Sequence, residues 1–321
     1  MEYQTFEREH LTDTSLETIK QVVFEGYQNG CAVTSTGKLA DCIPELSNAD
    51  ANAFGICMMN NAGDVIEFGD VEARFSMQSI SKVINLAASL KYRGHRDTFS
   101  HVLMEPSGDE FNSILKLDLK SDLPFNPFIN AGAIQIVSLI ADMFSFEDIL
   151  GFAKQMCMDD GITLNEKVYK SESDTGDRNR AIAYLLKSKG VLMSEPEKTT
   201  DLYFKLCSLN VNARSLAGLG VVLANGGKNP FTGKHLINAD YVRTIKTLMF
   251  TCGMYDFSGE WGVRVGIPAK SGVGGGVTCA AQGNMGFGLY GPALDKVGNS
   301  VAAIKAMEHI SHRMNLHAFG T

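Results

Sequence analysis

No two of the seven cysteines, at positions 31, 42, 57, 157, 207, 252 and 279, are spaced as CxxC, and their number is odd. That pattern excludes a disulfide framework and a zinc ribbon, and points to free thiols in a reducing cytoplasm. The first residues, MEYQTFEREH, contain no apolar core and are too acidic for a mitochondrial leader, so no secretory or transit segment is expected and the localisation expected is cytoplasmic. Long hydrophobic runs are missing as well. The most apolar stretch, Phe128 to Phe144, is interrupted by Asn130, Gln135 and Asp142, which suits a buried helix better than a membrane span. Positive charge is in deficit: 29 Lys and Arg stand against 36 Asp and Glu, for a net charge of −7. With no basic patch interleaved with aromatics, nucleic-acid and anionic-membrane partners are disfavoured. The chain also lacks internal repeats and low-complexity segments.

What is present is ordinary for a globular protein: 45% hydrophobic and 20% charged residues in a chain of 321. Domains run to roughly 100–200 residues, so about two are expected. Phe54–Met59 and Val65–Phe68, flanking Asn60-Asn-Ala-Gly-Asp64, predict a β-hairpin. Near the other end, Val263–Val273, Gly276–Ala281 and Met285–Tyr290 predict short strands separated by Gly, Pro and Asn. Between them the pattern is helical, best over Ser79–Leu90, Ala131–Phe144, Phe146–Met158, Arg178–Lys187, Lys198–Leu209 and Ala213–Ala224. Strands at both ends predict one sheet built from the two termini, with a helical insertion between them. Helices at Leu16–Tyr27 and Val301–Arg313 would cover one face. The division expected is 1–75 plus 240–321 as the sheet domain and 76–239 as the helical domain, with the site at their junction.

Two short motifs carry chemistry. Ser79 and Lys82 lie three residues apart in a segment without proline or glycine from 76 through 90, so a helix beginning near Ser79 puts both on one face. A serine hydroxyl is a poor nucleophile without an adjacent base, and a lysine can be that base only if its pKa falls. The same spacing also describes a capping serine followed by a solvated lysine. The second motif, Pro268-Ala-Lys-Ser-Gly-Val273 with glycines to Gly276, resembles the Lys-Thr-Gly strand of penicillin-binding proteins and β-lactamases, and reads equally as a glycine-rich hairpin. His309 and His312 sit at i, i+3 without a third ligand at metal-binding spacing, so no metal is expected.

Seven segments in order then resemble the serine-dependent glutaminase family, bacterial type, with its β-lactamase-like fold. They are Gln78–Lys82, Asn126–Ile134, Glu172–Asn179, Asp201–Cys207, Leu223–Gly227, Cys252–Gly259 and Pro268–Val273, within a likeness running from about residue 37 to the end. The resemblance implies an α/β (α+β) fold: a roughly five-stranded antiparallel sheet flanked by helices, with a large helical insertion. It implies hydrolysis of L-glutamine to L-glutamate and ammonia without a cofactor, by a homodimer or homotetramer. It assigns Ser79 as nucleophile, Lys82 as general base, Tyr255 as proton shuttle with its phenol near Lys82, and the backbone N–H groups of Ser79 and Val273 as oxyanion donors. Gln78, Asn130, Glu172, Asn179 and Tyr203 would hold the substrate together with Tyr255 and Val273. One position departs from the family: Cys42, in Gly37–Pro44, stands where a tyrosine is usual. Two alternatives stay open. One is a penicillin-binding or β-lactamase-like serine hydrolase, although no Ser-Asp-Asn motif is present. The other is a catalytically weakened amino-acid-binding relative, which Cys42 would explain.

Overall fold

The computed structural model describes residues 15–107 and 122–320, so the opening MEYQTFEREH lies outside the described residues. Five strands form one antiparallel sheet: β1 (Gly55–Asn60), β2 (Val65–Gly69), β6 (Ala269–Ser271), β7 (Gly276–Ala281) and β8 (Met285–Tyr290), in the order β2-β1-β8-β7-β6. The predicted hairpin is β1–β2, with Ile56 opposite Phe68 and Met58 opposite Ile66. The two ends of the chain meet where β1 pairs with β8, Gly55 opposite Tyr290 and Cys57 opposite Gly288.

Side chains alternate across a strand, and here both faces are covered. Ile56 and Met58 of β1 join Phe287 and Leu289 of β8 beneath α1 (Leu16–Cys31) and α11 (Val301–Arg313), which supply Val22, Val23, Ala302, Ala306 and Ile310. Cys57 and Met59 point the other way, into the larger core shared with Leu216, Ala217 and Val221 of α8 (Ala213–Ala224). Alternation in burial class is thereby lost in β1, where the residues through Met59 are buried. Helix α8 lies unusually close to the sheet. A Cβ at Gly288 would sit 2.0 Å from the Ala213 carbonyl oxygen, and one at Gly286 would sit 2.0 Å from the Val221 nitrogen.

The helices that build the site are α2 (Ser81–Thr98), α3 (Asn130–Ile140), α4 (Phe146–Cys157), α5 (Glu166–Asp174), α6 (Asp177–Ser188) and α7 (Pro196–Cys207); α9 (Ala239–Cys252) and the short α10 (Ser258–Arg264) follow α8. Several expectations need correction. The helix expected to begin at Ser79 begins at Ser81, after a 3-10 turn over Gln78–Ile80. The strand expected over Val263–Val273 shrinks to Ala269–Ser271. Its first part lies in and just past α10, where Val263 is 71% exposed and Trp261 donates from Nε1 to the Ile267 carbonyl at 2.7 Å. The helical middle also holds a second, three-stranded sheet of β3 (Phe75–Ser76), β5 (Leu209–Val211) and β4 (Thr163–Leu164), in that order. Helices α5 and α9 were not anticipated. His309 is engaged by Glu25 across α11 and α1, Nε2 to Oε2 2.9 Å. Among the described residues no helix is long and apolar enough to cross a membrane.

Candidate active site

Ser79 is held by what precedes it. Phe75 and Ser76 pair with Val211 and Asn210, and the Met77 N–H donates to the Leu209 carbonyl at 2.8 Å. Gln78 then takes left-handed backbone, φ 49°, which turns the chain sharply and delivers Ser79 in the 3-10 turn ahead of α2. A non-glycine residue there costs of order 1–3 kcal/mol, a strain that clusters at functional sites. The strand β6 runs alongside. A Cβ at Gly272 would meet the Met77 carbonyl oxygen at 2.7 Å and the Ser79 nitrogen at 3.4 Å, and one at Gly274 the Ser76 carbonyl oxygen at 2.4 Å. The glycines of the second motif therefore exist to let two backbones approach, and this brings Val273 to Ser79.

Tyr255 completes this end. Its backbone is also left-handed, φ 53°, in a 3-10 turn secured by Ser258, whose hydroxyl donates to the Tyr255 carbonyl at 2.7 Å and accepts from the Met254 N–H at 3.0 Å. The phenol is enclosed, and burial pushes its pKa up. Ser79 and the Val273 backbone, which face the phenol, counter part of that rise. Lys270 stands against the Tyr255 ring, its Nζ 4.5 Å from the ring centre.

Lys82 is 1% exposed. Its Nζ donates to the Phe128 carbonyl at 3.1 Å and to Asn130 Oδ1 at 2.8 Å. Burial pulls its pKa down to about 8, with Cys207 and Glu172 opposing the fall. The free amine is therefore well populated in mildly alkaline solution, as a general base requires. Asn130 opens α3 and is committed on both sides. Its side-chain oxygen accepts from Lys82 Nζ at 2.8 Å and from the Tyr203 hydroxyl at 3.5 Å, while its Nδ2 donates to Asn179 Oδ1 at 3.0 Å. Asn179 Oδ1 is thus occupied from within.

The far wall is acidic. Glu172 on α5 is 6% exposed, and burial raises its pKa to about 8; contacts with Gln78 and Cys207 and the charge of Lys82 pull the other way. Gln78 Nε2 reaches Glu172 Oε2 at 3.4 Å and Ser76 Oγ at 3.2 Å. Cys42 is exposed at the edge of this wall, and its thiol pKa is raised by its surroundings, then by Asp41, with Glu172 contributing. Two residues at the site were given no role from the sequence, although Lys270 is the lysine of the second motif. Cys207 lies among Glu172, Tyr203 and Ser81, with the Ser81 Oγ 3.8 Å from its sulfur; Lys270 sits beneath Tyr255. Both are inside the matched segments, but neither residue type signals its neighbours. A cavity of about 150 Å³ adjoins Tyr255, walled also by Asn126, Phe128, Cys252 and Asp256; Ser79, Lys82 and Glu172 do not line it.

A serine, a lysine of lowered pKa, a buried carboxylate and a glycine-lined strand thus lie on adjoining segments of the fold. Comparison with known proteins agrees. The family profile described as Glutaminase matches residues 37–319. A glutaminase of Clostridioides difficile is 49% identical over 290 residues, covering 89% of this chain and 94% of the relative. Among solved structures, the probable glutaminase ybaS superposes with a TM-score of 0.91 at 36% identity, over 95% of this chain and 99% of that one. The Bacillus subtilis glutaminase YbgJ, in covalent complex with 5-oxo-L-norleucine formed from 6-diazo-5-oxo-L-norleucine, superposes with a TM-score of 0.84 at 33% identity, over 94% and 99%. The chain belongs to the glutaminase family and is an enzyme hydrolysing L-glutamine to L-glutamate and ammonia.

Proposed function

We propose that the hydrolysis proceeds through an acyl intermediate on Ser79. Lys82 takes the proton of the Ser79 hydroxyl as its oxygen bonds to the side-chain amide carbon of glutamine. The negative oxygen that forms is met by the backbone N–H groups of Ser79 and Val273; removing one such donor typically costs about 10²–10³ in rate. The C–N bond breaks as the nitrogen receives a proton through Tyr255, releasing ammonia. Water then attacks the ester, gives its proton back through Tyr255, and glutamate leaves with the Ser79 hydroxyl restored.

The observation that carries this reading is the convergence of Ser79 and the Val273 backbone on the Tyr255 phenol, with Lys82 lowered to about 8 by burial. The covalent complex of the Bacillus subtilis relative lends support, since a diazo ketone of glutamine shape traps a nucleophile. At the other end, Glu172 pairs with the α-ammonium, while Asn179 and Tyr203 hold the α-carboxylate, with Gln78 orienting Glu172. Asn130 steadies Lys82 as well as the substrate side. The division into 1–75 plus 240–321 and 76–239, with the site at the junction, draws support from the smaller buried cluster, which lies wholly in the first part, while the larger also takes in Cys57, Met59, Val242, Ile245 and Met249. A cytoplasmic setting fits the free cysteines, and a homodimer or homotetramer is the assembly that the resemblance implies; light scattering on the purified chain reads its mass.

The test is ammonia release from glutamine, asparagine and a chromogenic β-lactam by the wild type and Ser79→Ala, with the 6-diazo-5-oxo-L-norleucine adduct mapped by mass spectrometry. Release from glutamine, lost in Ser79→Ala, and an adduct on Ser79 are expected. Turnover persisting in Ser79→Ala would end the nucleophile assignment.

A further inference from the structure

Lys270 is the buried titratable group that the mechanism above leaves without a task. It lies on β6, three residues before Val273, with no exposed surface. Its Nζ donates to the Gly253 carbonyl at 3.0 Å and to the Ser271 carbonyl at 2.7 Å, and stands 4.5 Å from the centre of the Tyr255 ring. Burial, with Lys82 nearby, pulls its pKa well below the usual lysine value. Two N–H bonds of the amine, charged or neutral, go to those carbonyls, and the nitrogen then faces the ring, so its donors are spent on the fold.

Both carbonyls belong to the machinery. Gly253 stands two residues before Tyr255 and also accepts the Ser271 N–H at 3.1 Å, so one oxygen ties the tyrosine turn to β6 twice. Ser271 leads through Gly272 into Val273. The turn needs such a tie, because Tyr255 holds a backbone conformation unfavourable to any residue but glycine. The titratable groups around Lys270 are Lys82 from α2, Cys252 at the end of α9, and Tyr255 itself.

We propose that Lys270 is a positioning residue whose Nζ, through the Gly253 and Ser271 carbonyls and its seat against the ring, ties the Tyr255 turn to β6, so that the phenol stays beside Ser79 and Val273. The proposal rests on the proton-transfer role of Tyr255 put forward above. It predicts that Lys270 acts on turnover and not on substrate affinity, and only through Tyr255.

The experiment is a double-mutant cycle on the full chain, with kcat and KM for glutamine measured for Lys270→Met, Tyr255→Phe and the pair. Lys270→Met is expected to lower kcat by about 10²-fold, the low end of what a general acid–base group contributes, with KM within about threefold. The double variant is expected to fall no further than Tyr255→Phe, because two residues acting as one unit do not add. Three results overturn the clamp: Lys270→Met with kcat near wild type, a loss confined to KM, or losses that multiply in the pair. Multiplying losses leave the Tyr255 role standing; a Tyr255→Phe enzyme of wild-type kcat removes that role and the clamp with it. If thermal melting shows Lys270→Met unfolded, Lys270→Gln, which keeps one donating group, is measured on the same criteria.

Discussion

At the reacting end of the site, both lysines have backbone anchors. Lys82 donates to the Phe128 carbonyl as well as to Asn130 Oδ1, and Lys270 to the carbonyls of Gly253 and Ser271. At the amino-acid end the contacts run from side chain to side chain: Asn130 to Asn179 at 3.0 Å, Gln78 to Glu172 at 3.4 Å, Tyr203 to Asn130 at 3.5 Å. The wall there finishes at an exposed cysteine. Backbone anchors cannot swing away when a neighbour changes, whereas a chain of amides and a carboxylate can re-pair around a ligand. The first end is therefore preorganised for chemistry, and the second is completed by the substrate it grips. Changes at the two ends should separate into effects on kcat and effects on KM.

The largest effect expected is at the first end. Lys82→Met should lower kcat by about 10³-fold or more, since the nucleophile loses its base, while KM stays within about threefold. The fold should survive, because replacing a buried charge by an apolar chain of similar length is often neutral or stabilising. Steady-state kinetics with a thermal melt read both, and a KM-only defect would erase the distinction between the ends. Next, Glu172→Gln should raise KM by roughly 10–100-fold and spare kcat, as loss of a hydrogen bond to a charged group is worth about 1.5–3 kcal/mol. A fall in kcat alone would mean that the carboxylate serves the chemistry.

The pH dependence joins the two ends. Lys82 must lose its proton and Glu172 must lose its own, and burial holds both near 8, so both requirements act in the same direction. Activity should be lost as pH falls through 8 and regained as it rises. Each group senses the other's charge, so they titrate as a pair. The acid limb of log kcat/KM against pH should be steeper than one, and Glu172→Gln should reduce it to one. A wild-type limb of unit slope would show that a single group controls binding and chemistry together. The smallest effect is at the rim. Cys42→Tyr should raise kcat/KM for glutamine by about three- to tenfold, the worth of one added hydrogen bond of about 1 kcal/mol. An unchanged or lowered value would mean that the thiol is no defect.

Legibility from sequence followed the strength of local signals. Helix α8 was read to the residue because Asn212 and Ser215 form a reciprocal capping box ahead of an apolar helix, and α11 because Ser300 caps a clean run. Helix α5, EKVYKSESD, was missed since only Val168 and Glu172 are buried in it, too few to set a period. The strands β3, β4 and β5 have two or three residues each, below any alternation signal. The Val263–Val273 region did alternate, but Gly266, at φ 65°, lets the end of α10 turn back toward Pro268 instead of continuing as a strand.

The sequence by itself determined the family, the two motifs and the identities of the residues gathered at the site, because residue type and order are local information. Tertiary structure alone decided which cation meets which ring. Lys82 and Lys270 are both lysines in catalytic-looking motifs, yet one is turned to Asn130 and the other to Tyr255. That choice follows from the close packing of β6 on the Ser76–Ser79 turn, a contact between segments nearly two hundred residues apart that no spacing rule can reach.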